Sequence, residues 1–379
     1  MIVRKDRVLA VHIRMDKDPQ GDVPKKLEEL SALIQADGGE VIGTVVQRIK
    51  KANSSTLLGS GQIMNINDTA TQCDAEVIVF NRELSPSQQR NIEYMLDKRL
   101  IDRTRLIIDI FARRANSREG KLEVEEALLR YMLPRLTGKG IVMSQTGGGV
   151  GTRGPGETKL EIDRRRIKER LGRIKQLMDT VKKQRMVQQG RRTRTGIPLI
   201  SLVGYTSAGK STLLNRLARA YVQSSDDLFT TLDPVSKRLY LKDGSFALVT
   251  DTVGFIEDLP VQLIRAFRTT LEDVSRSDLL LFLIDVSKPD YDKDINVVMD
   301  ILKEIHADSL PIIYVFNKID KLDSDISLKG LTNNYESSIL VSARDGTGID
   351  MLKDMIINKL FLIKHVRDTQ DKNELHRVV

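Results

Sequence analysis

Tryptophan is absent, and aromatic residues make up only 4% of the 379 positions. That scarcity argues against a single-strand nucleic-acid binder that stacks bases on aromatic rings. One cysteine, Cys73, rules out an intrachain disulfide framework and any cysteine-cluster metal site, and it reads as a small buried residue. The four histidines, His12, His306, His365 and His376, are too scattered to form a metal-ligand pattern. No apolar run approaches the ~20 residues that a membrane helix needs. The most hydrophobic stretch, LLLFLIDV at 279–286, is strand-sized and ends in charge. The first residues, MIVRKDRVLAVHIRMDKD, have neither the apolar centre nor the small-residue cleavage site of a secretory signal. A cytoplasmic protein is expected, without stable membrane insertion, although peripheral contact with a membrane stays open.

What the chain has in excess is positive charge, and the excess is local. The net charge is +8, yet residues 158–194 alone hold five Lys, nine Arg and four acids, a net of +10. Everything outside that segment is close to neutral. Such asymmetry suggests a polyanionic partner.

A chain of this length exceeds one ordinary core. Residues 1–115 alternate strand-like runs (7–13, 41–49, 75–80) with helical ones (24–35, and a helix opened by Ser85-Pro86 that carries QQRNIEYMLDK to Lys98), which argues for a small α/β domain. Residues 116–196 read as a basic helical hairpin with a glycine-rich connection at 138–159 and a linker. Leu122, Leu129 and Leu136 recur every seven residues, with Leu133 between them. After the connection, Leu160, Ile167, Leu171, Ile174, Met178 and Val181 recur at sevens, fours and threes. Two amphipathic, antiparallel helices are expected. Their plainest reading is a solvated structural spacer, but a glycine-rich connection that long is usually functional or disordered. Residues 197–364 return to strand–helix alternation and residues 365–379 read as a short polar tail. In the third region, strands are expected near 198–203, 236–241, 245–250, 278–284, 311–316 and 337–341. Helices are expected near 210–220, 262–275, 292–306 and 348–362.

The stretch PLISLVGYTSAGKSTLLNRL at 198–217 is a strand, a glycine loop and a helix in that order. Gly204, Tyr205, Thr206, Ser207, Ala208, Gly209, Lys210 and Ser211 fit the GxxxxGK[ST] phosphate loop. The two glycines let backbone N–H groups converge on phosphate, and the helix opening at Lys210 adds its positive dipole end. Lys210 can bridge the β- and γ-phosphates, the Ser211 hydroxyl suits Mg²⁺, and Thr212 completes the first turn.

Asp251-Thr252-Val253-Gly254 follows the strand-like SFALVT. An acid there can reach Mg²⁺ through water, and the Gly254 N–H can approach a γ-phosphate. Between the two motifs lies the polar segment Phe229-Thr230-Thr231-Leu232-Asp233. One of its threonines is expected to supply a second hydroxyl to Mg²⁺, ordering the segment when the γ-phosphate is present. The bland alternative is a surface turn.

Asn317-Lys318-Ile319-Asp320 follows the strand-like PIIYVF. Asp320 can accept guanine's N1–H and 2-amino group. Adenine offers neither, so such a pocket should reject ATP by roughly 10⁴-fold. Asn317 can tie this loop to the phosphate loop, and the Lys318 stem can cover the base. Ser342-Ala343-Arg344 places backbone N–H groups near the guanine O6. Together the four motifs select GTP and GDP, with Mg²⁺, over ATP.

With GYTSAGKST, FTTLDP, DTVGF, NKID and SAR in place, the chain resembles the HflX GTPases, relatives of the Obg group. The likeness extends upstream through LLGSGQ (57–62), LSPSQQRNIE (84–93), DRTRLIIDIFARRA (102–115), YMLPRL (131–136) and GGGVGTRGPGETKLEIDRRRI (147–167), and covers roughly residues 1–364. It implies an α/β fold: a P-loop GTPase domain plus an N-terminal α/β domain with an antiparallel long-helix hairpin. It implies that Thr231 is the threonine on Mg²⁺, with Lys210, Thr231 and Gly254 as the catalytic set. It also implies binding to the large ribosomal subunit and its rRNA, with ribosome splitting, rescue or recycling as the task. A further carboxy-terminal appendage found in some members is not matched here. ATP has been associated with the N-terminal domain of some members, but no second phosphate loop is present, so no ATP site is expected.

The residue directly after Gly254 is Phe255, which cannot orient an attacking water as a glutamine can. Slow intrinsic hydrolysis, accelerated by a partner, is therefore expected of a monomeric chain. Arg164, Arg165, Arg166, Arg170 and Arg173 cannot all face one way on a helix, so some must be solvated or internally paired. Their density favours sequence-independent phosphate contact, and Arg153 with its neighbouring glycines could let the loop tip enter a narrow RNA cavity. A second reading is a GTP-dependent switch that binds a protein effector or membrane surface. A nucleic-acid-remodelling NTPase would need ATP use and a second motor domain, neither of which is legible.

Overall fold

The computed structural model describes residues 5–16, 22–136, 155–218, 229, 233–241, 244–256, 273–322 and 335–375. They cluster into two compact units, one built mainly of residues up to Val181 and the other mainly of residues from Lys182 onward.

The first unit contains β1 (Arg7–Met15), α1 (Val23–Ala36), β2 (Glu40–Ile49), α2 (Ser60–Gln72), β3 (Val77–Phe80), α3 (Pro86–Glu93), β4 (Arg99–Ile101), α4 (Arg103–Arg114) and α5 (Arg118–Arg135). Its four strands form a parallel sheet in the order β2-β1-β3-β4. Central β1 is buried on both faces, as expected for a parallel strand with helices around it. Leu9, Val11, Ile13, Ile78 and Phe80 pack against Ile63, Ile66, Ala70 and Ile92 from α2 and α3. The Ser85-Pro86 start forms a capping box. Ser85 Oγ accepts from Gln88 N at 3.2 Å, and Gln88 Oε1 accepts from Ser85 N at 3.0 Å. Cys73, expected to be buried, is half-buried at the end of α2, against the edge of this core.

The sevenfold leucine pattern of α5 does not mark its buried face. Gly120, Val124, Ala127 and Tyr131 are buried at helical spacing along with Leu122, whereas Leu129 and Leu133 are only half-buried. The cause is tertiary: α5 packs on α4 and α3, and those neighbours decide which stripe is covered. The last helix of the basic region, α6 (Pro155–Thr195), is a single 41-residue element. Here the expected stripe does face inward. Ile174 is buried, and Leu160, Ile167, Leu171, Met178 and Val181 are half-buried among exposed neighbours. Glu125 of α5 and Arg170 of α6 form a two-pronged ion pair, 2.7 Å at each bond. Most of the connection between these helices, including Arg153, lies outside the described residues.

The second unit contains β5 (Leu199–Gly204), α7 (Lys210–Ala218), β6 (Val235–Tyr240), β7 (Phe246–Asp251), β8 (Leu279–Asp285), α8 (Tyr291–Glu304), β9 (Ile312–Asn317), β10 (Ser338–Val341) and α9 (Ile349–Leu375). The sheet order is β10-β9-β8-β5-β7-β6, parallel except for the antiparallel β6–β7 pair. Its core joins Ile200, Leu202, Leu281, Leu283 and Val315 of the sheet to Leu213, Leu214 and Leu217 of α7 and to Leu352 and Ile356 of α9. Helix α9 runs past the expected end at 362, because no proline or glycine interrupts 349–375. The helix expected at 262–275 lies mostly outside the described residues. No described helix is long and apolar enough to cross a membrane.

Candidate functional site

Parallel pairing brings the carboxyl ends of β5, β7, β8, β9 and β10 to one edge of the sheet, where open α/β sheets bind ligands. The phosphate loop, Asp251–Gly254, Asn317–Asp320 and Ser342–Arg344 each sit at one of those ends.

The phosphate loop leaves β5 at Gly204, and two of its glycines are required by close approach. A Cβ on Gly204 would lie 2.4 Å from the Leu283 carbonyl of neighbouring β8. Gly209 has φ +96°, and a Cβ there would lie 2.4 Å from Asn317 Nδ2. Ser207 also adopts a left-handed backbone, φ +61°. Tyr205, Thr206 and Ala208 are buried between them. Lys210 opens α7 and is buried. Its ammonium donates to the carbonyls of Gly204 at 3.0 Å and Tyr205 at 2.9 Å, which curls the side chain over the loop. Burial pushes its pKa down to about 8, opposed by the Asp251 carboxylate and reinforced by Lys288. Lys210 thus stands where an incoming phosphate would relieve the desolvation of the cation.

Ser211 and Thr212 follow in the first turn of α7. Ser211 Oγ donates to Asp251 Oδ2 at 2.6 Å, joining the hydroxyl and carboxylate read as metal-facing groups. Asp251 ends β7 fully buried, and the buried Thr252 hydroxyl donates to the Leu202 carbonyl at 2.6 Å. Val253 and Gly254 continue onto the phosphate loop. A Cβ on Gly254 would lie 2.9 Å from Thr206 Cγ2 and 3.1 Å from Lys210 Nζ, so only glycine lets the two segments meet. Phe255 is buried, and its backbone pairs with the loop: its carbonyl accepts from Thr206 N at 2.7 Å and its N–H donates to the Gly204 carbonyl at 3.2 Å. Of the intervening segment, Phe229 is buried with φ +56° and Asp233 is half-buried, while Thr230, Thr231 and Leu232 lie outside the described residues.

At the other end, Asn317 is buried, 2% exposed, and ties two loops together. Its Nδ2 donates to the Ala208 carbonyl at 2.7 Å, and its Oδ1 accepts from Ala343 N at 2.9 Å. Lys318 has a left-handed backbone, φ +68°, and Ile319 and Asp320 begin a 3₁₀ turn. Asp320 is exposed, and one of its oxygens, Oδ1, is fixed by Ser342 Oγ at 2.7 Å. The carboxylate is thus held in place yet open to a ligand. Ser342 and Ala343 are buried beyond β10, and Arg344 is exposed.

Sequence reading misses two supports. Arg216 of α7 donates through Nε to the Ala343 carbonyl at 3.1 Å and through Nη2 to the Arg344 carbonyl, pinning the loop from behind. Asp285, at the end of β8, meets Lys318. No local signal identifies either residue, because each partner is more than thirty positions away.

Mg²⁺ binds through one or two protein oxygens plus phosphates rather than through an all-protein cage. Ser211 and Asp251 are a donor set of that kind. Among the described residues no group of three or more His, Cys, Asp or Glu side chains could hold a metal ion by itself.

Comparison with known proteins gives a consistent answer along most of the chain. Three family profiles match in succession: a GTP-binding GTPase N-terminal region at 24–112, a GTP-binding GTPase middle region at 114–192, and a 50S ribosome-binding GTPase at 199–318. A GTPase HflX from Caldanaerobacter subterraneus subsp. tengcongensis is 42% identical over 357 residues, covering 94% of this chain and 82% of that protein. GTPase HflX from Escherichia coli K12 is 38% identical over 358 residues, covering 94% and 83%. A solved complex of SsGBP with GDP shares the fold, with TM-score 0.51 at 24% identity, covering 94% of this chain and 99% of that one.

Proposed function

The chain belongs to the HflX family of GTPases, which hydrolyse GTP to GDP and phosphate, and from that premise we propose that it acts in the cytoplasm on the large ribosomal subunit, in ribosome splitting, rescue or recycling. One observation carries the proposal: the positive charge of the chain is concentrated on α6. Arg164, Arg165, Arg166, Arg170 and Arg173 are all exposed there. Among the described residues Arg165 and Arg166 make long local pairs, with Glu169 at 3.9 Å and Asp163 at 3.8 Å, while Arg170 is held by Glu125. Exposed pairs of this kind are worth little and exchange readily for a phosphate partner. RNA is the polyanion such a helix fits, and the family profile over the G domain is described as ribosome-binding.

At the nucleotide site, the proposed roles follow the geometry. The Gly204–Gly209 loop and Lys210 hold the phosphates. Asp320 reads the guanine edge, and Ser342-Ala343-Arg344 closes around O6. Ser211 and Asp251, with Thr231, would hold Mg²⁺, which when bound neutralises phosphate charge. The N–H of Gly254 senses the γ-phosphate. Phe255 presents no group that orients water, and its backbone is engaged with the phosphate loop. Turnover by the protein alone is therefore slow, and ribosome binding accelerates it by ordering the switch loops around the γ-phosphate.

Sedimentation with separated ribosomal subunits tests the proposal. Recovery with large subunits in a non-hydrolysable GTP analogue, at low salt and not with GDP, is expected. Equal recovery in both nucleotide states would sink it. GTP-dependent capture of a protein or membrane that survives RNase would favour the effector-switch reading instead.

A further inference from the structure

The β8–α8 turn, Asp285-Val286-Ser287-Lys288, belongs to none of the motifs read from the sequence, yet it touches both ends of the nucleotide site. Asp285 closes β8 with its side chain 5% exposed. Its Oδ2 meets Lys318 Nζ at 2.7 Å. Its Oδ1 accepts from Ser287 Oγ at 2.5 Å and from Ser287 N at 3.1 Å. The carboxylate is thus fixed by its own turn before it engages the lysine. The backbone agrees: Val286 N donates to the Asn317 carbonyl at 3.1 Å, and Asp285 stands beside Asn317 in the β8–β9 register. Three residues on, Lys288 sits over the Tyr205 ring of the phosphate loop, 4.8 Å from its centre, with its ammonium paired to Asp294 at 3.0 Å.

From this arrangement we propose that Asp285 is a positioning residue for guanine nucleotide, acting through Lys318. The proposal rests on the reading of this edge as a GTP site and adds a residue to it. Lys318 follows β9, and its ammonium is anchored at the end of β8, the next strand towards the phosphate loop. Its four-carbon stem is therefore drawn across the gap between the two strand ends, where it forms an apolar ledge for one face of the purine. A lysine stem is otherwise free to rotate, and ordering it on binding would be unfavourable. The ion pair orders the stem in advance. It also engages the Lys318 cation at the base end and keeps it from competing with Lys210 for phosphate.

A double-mutant cycle on the full chain tests this, with GDP affinity and dissociation rate as readouts and thermal midpoint as a parallel measurement. Asp285→Asn is expected to weaken GDP binding by about tenfold, the scale of one charge-assisted contact, chiefly through faster release. Lys318→Ala is expected to do the same. The double variant should bind no more weakly than Lys318→Ala alone, because Asp285 acts only through that side chain. Additive losses, or a lowered midpoint with unchanged GDP affinity, would reduce the pair to a staple between strands and overturn the inference. If Asp285→Asn does not fold, Ser287→Ala removes the hydroxyl that helps to fix the same carboxylate. It should speed GDP release by roughly two- to fivefold, less than a whole hydrogen bond because the Asp285–Lys318 pair remains, and an unchanged rate would overturn the proposal. Wild-type protein that took up no GDP would be a failure of the site reading itself, a separate outcome.

Discussion

Replacing Asn317 with alanine removes a side chain that ties the phosphate loop to the loops proposed to face guanine. In the folded protein its amide makes two bonds, 2.7 Å to the Ala208 carbonyl and 2.9 Å from the Ala343 N–H. Alanine would leave both backbone groups buried without that partner. Each such loss costs ~1–3 kcal/mol, so the pair sums to ~2–6 kcal/mol, with the lower half applying where water enters the space left behind. A working value of ~3 kcal/mol corresponds to a factor of about 150 in an equilibrium constant. It should divide between folding stability and nucleotide affinity, since both loops must be placed before GDP binds. GDP affinity is therefore expected to fall by about ten- to a hundredfold, by the same conversion of roughly 1.4 kcal/mol per factor of ten. Calorimetry reads the affinity, and amide hydrogen exchange reads the second effect directly, as lost protection at Ala343. The surface pair Lys353–Asp350, 3.5 Å apart with Asp350 98% exposed, supplies the control, because Asp350→Ala should change stability by less than ~0.5 kcal/mol. GDP affinity within twofold of wild type, with Ala343 still protected, would refute the bridging role.

Lys210→Ala is expected to abolish GTP and GDP binding, and retained tight binding would refute the phosphate-loop assignment. Because burial lowers Lys210 to about 8 in this structure, its cation is present below that pH and lost above it, so binding must take up a proton in alkaline solution. GDP affinity should accordingly be about tenfold weaker at pH 9 than at pH 7, and the Lys210→Arg variant should lack that dependence even if its binding is weaker at every pH. Asp320→Asn is expected to shift preference from guanine to xanthine nucleotides, measured by competition, since the amide now donates where the carboxylate accepted. Gly209→Ala should weaken nucleotide binding by at least tenfold, because its Cβ would lie 2.4 Å from Asn317 Nδ2 and φ is +96°.

The site is more legible in the sequence than the architecture around it. Glycine, lysine and aspartate at fixed spacings mark the proposed phosphate and guanine chemistry, so GYTSAGKS and NKID declare themselves from residue type and order alone. The supports do not, because Arg216, Asp285 and the backbone of Phe255 act across sequence separations that no local pattern encodes. Helix α2 leaves little trace in the sequence because SGQIMNINDTATQ is rich in residues of weak helix propensity; the fold holds it by burying Ile63, Ile66 and Ala70. The three-residue β4 is too short for alternation to be detectable. In α5, leucines at sevens suggest one face, whereas contact with α4 and α3 selects another. In α6 the expected stripe is the less exposed one. The sequence pattern also overextends α3. That helix stops at Glu93, so Tyr94 to Lys98 are not part of the element that opens at Ser85-Pro86.

On the proposed reading, one sheet edge binds a guanine nucleotide, with a glycine cradle at the phosphates and a carboxylate at the base. Calorimetric titration of the purified chain with GDP, GTP and ATP, in magnesium, measures it directly. Saturable uptake of GDP and GTP is expected, with ATP weaker by roughly 10⁴-fold. No uptake of either guanine nucleotide, or ATP bound as tightly as GTP, would contradict it.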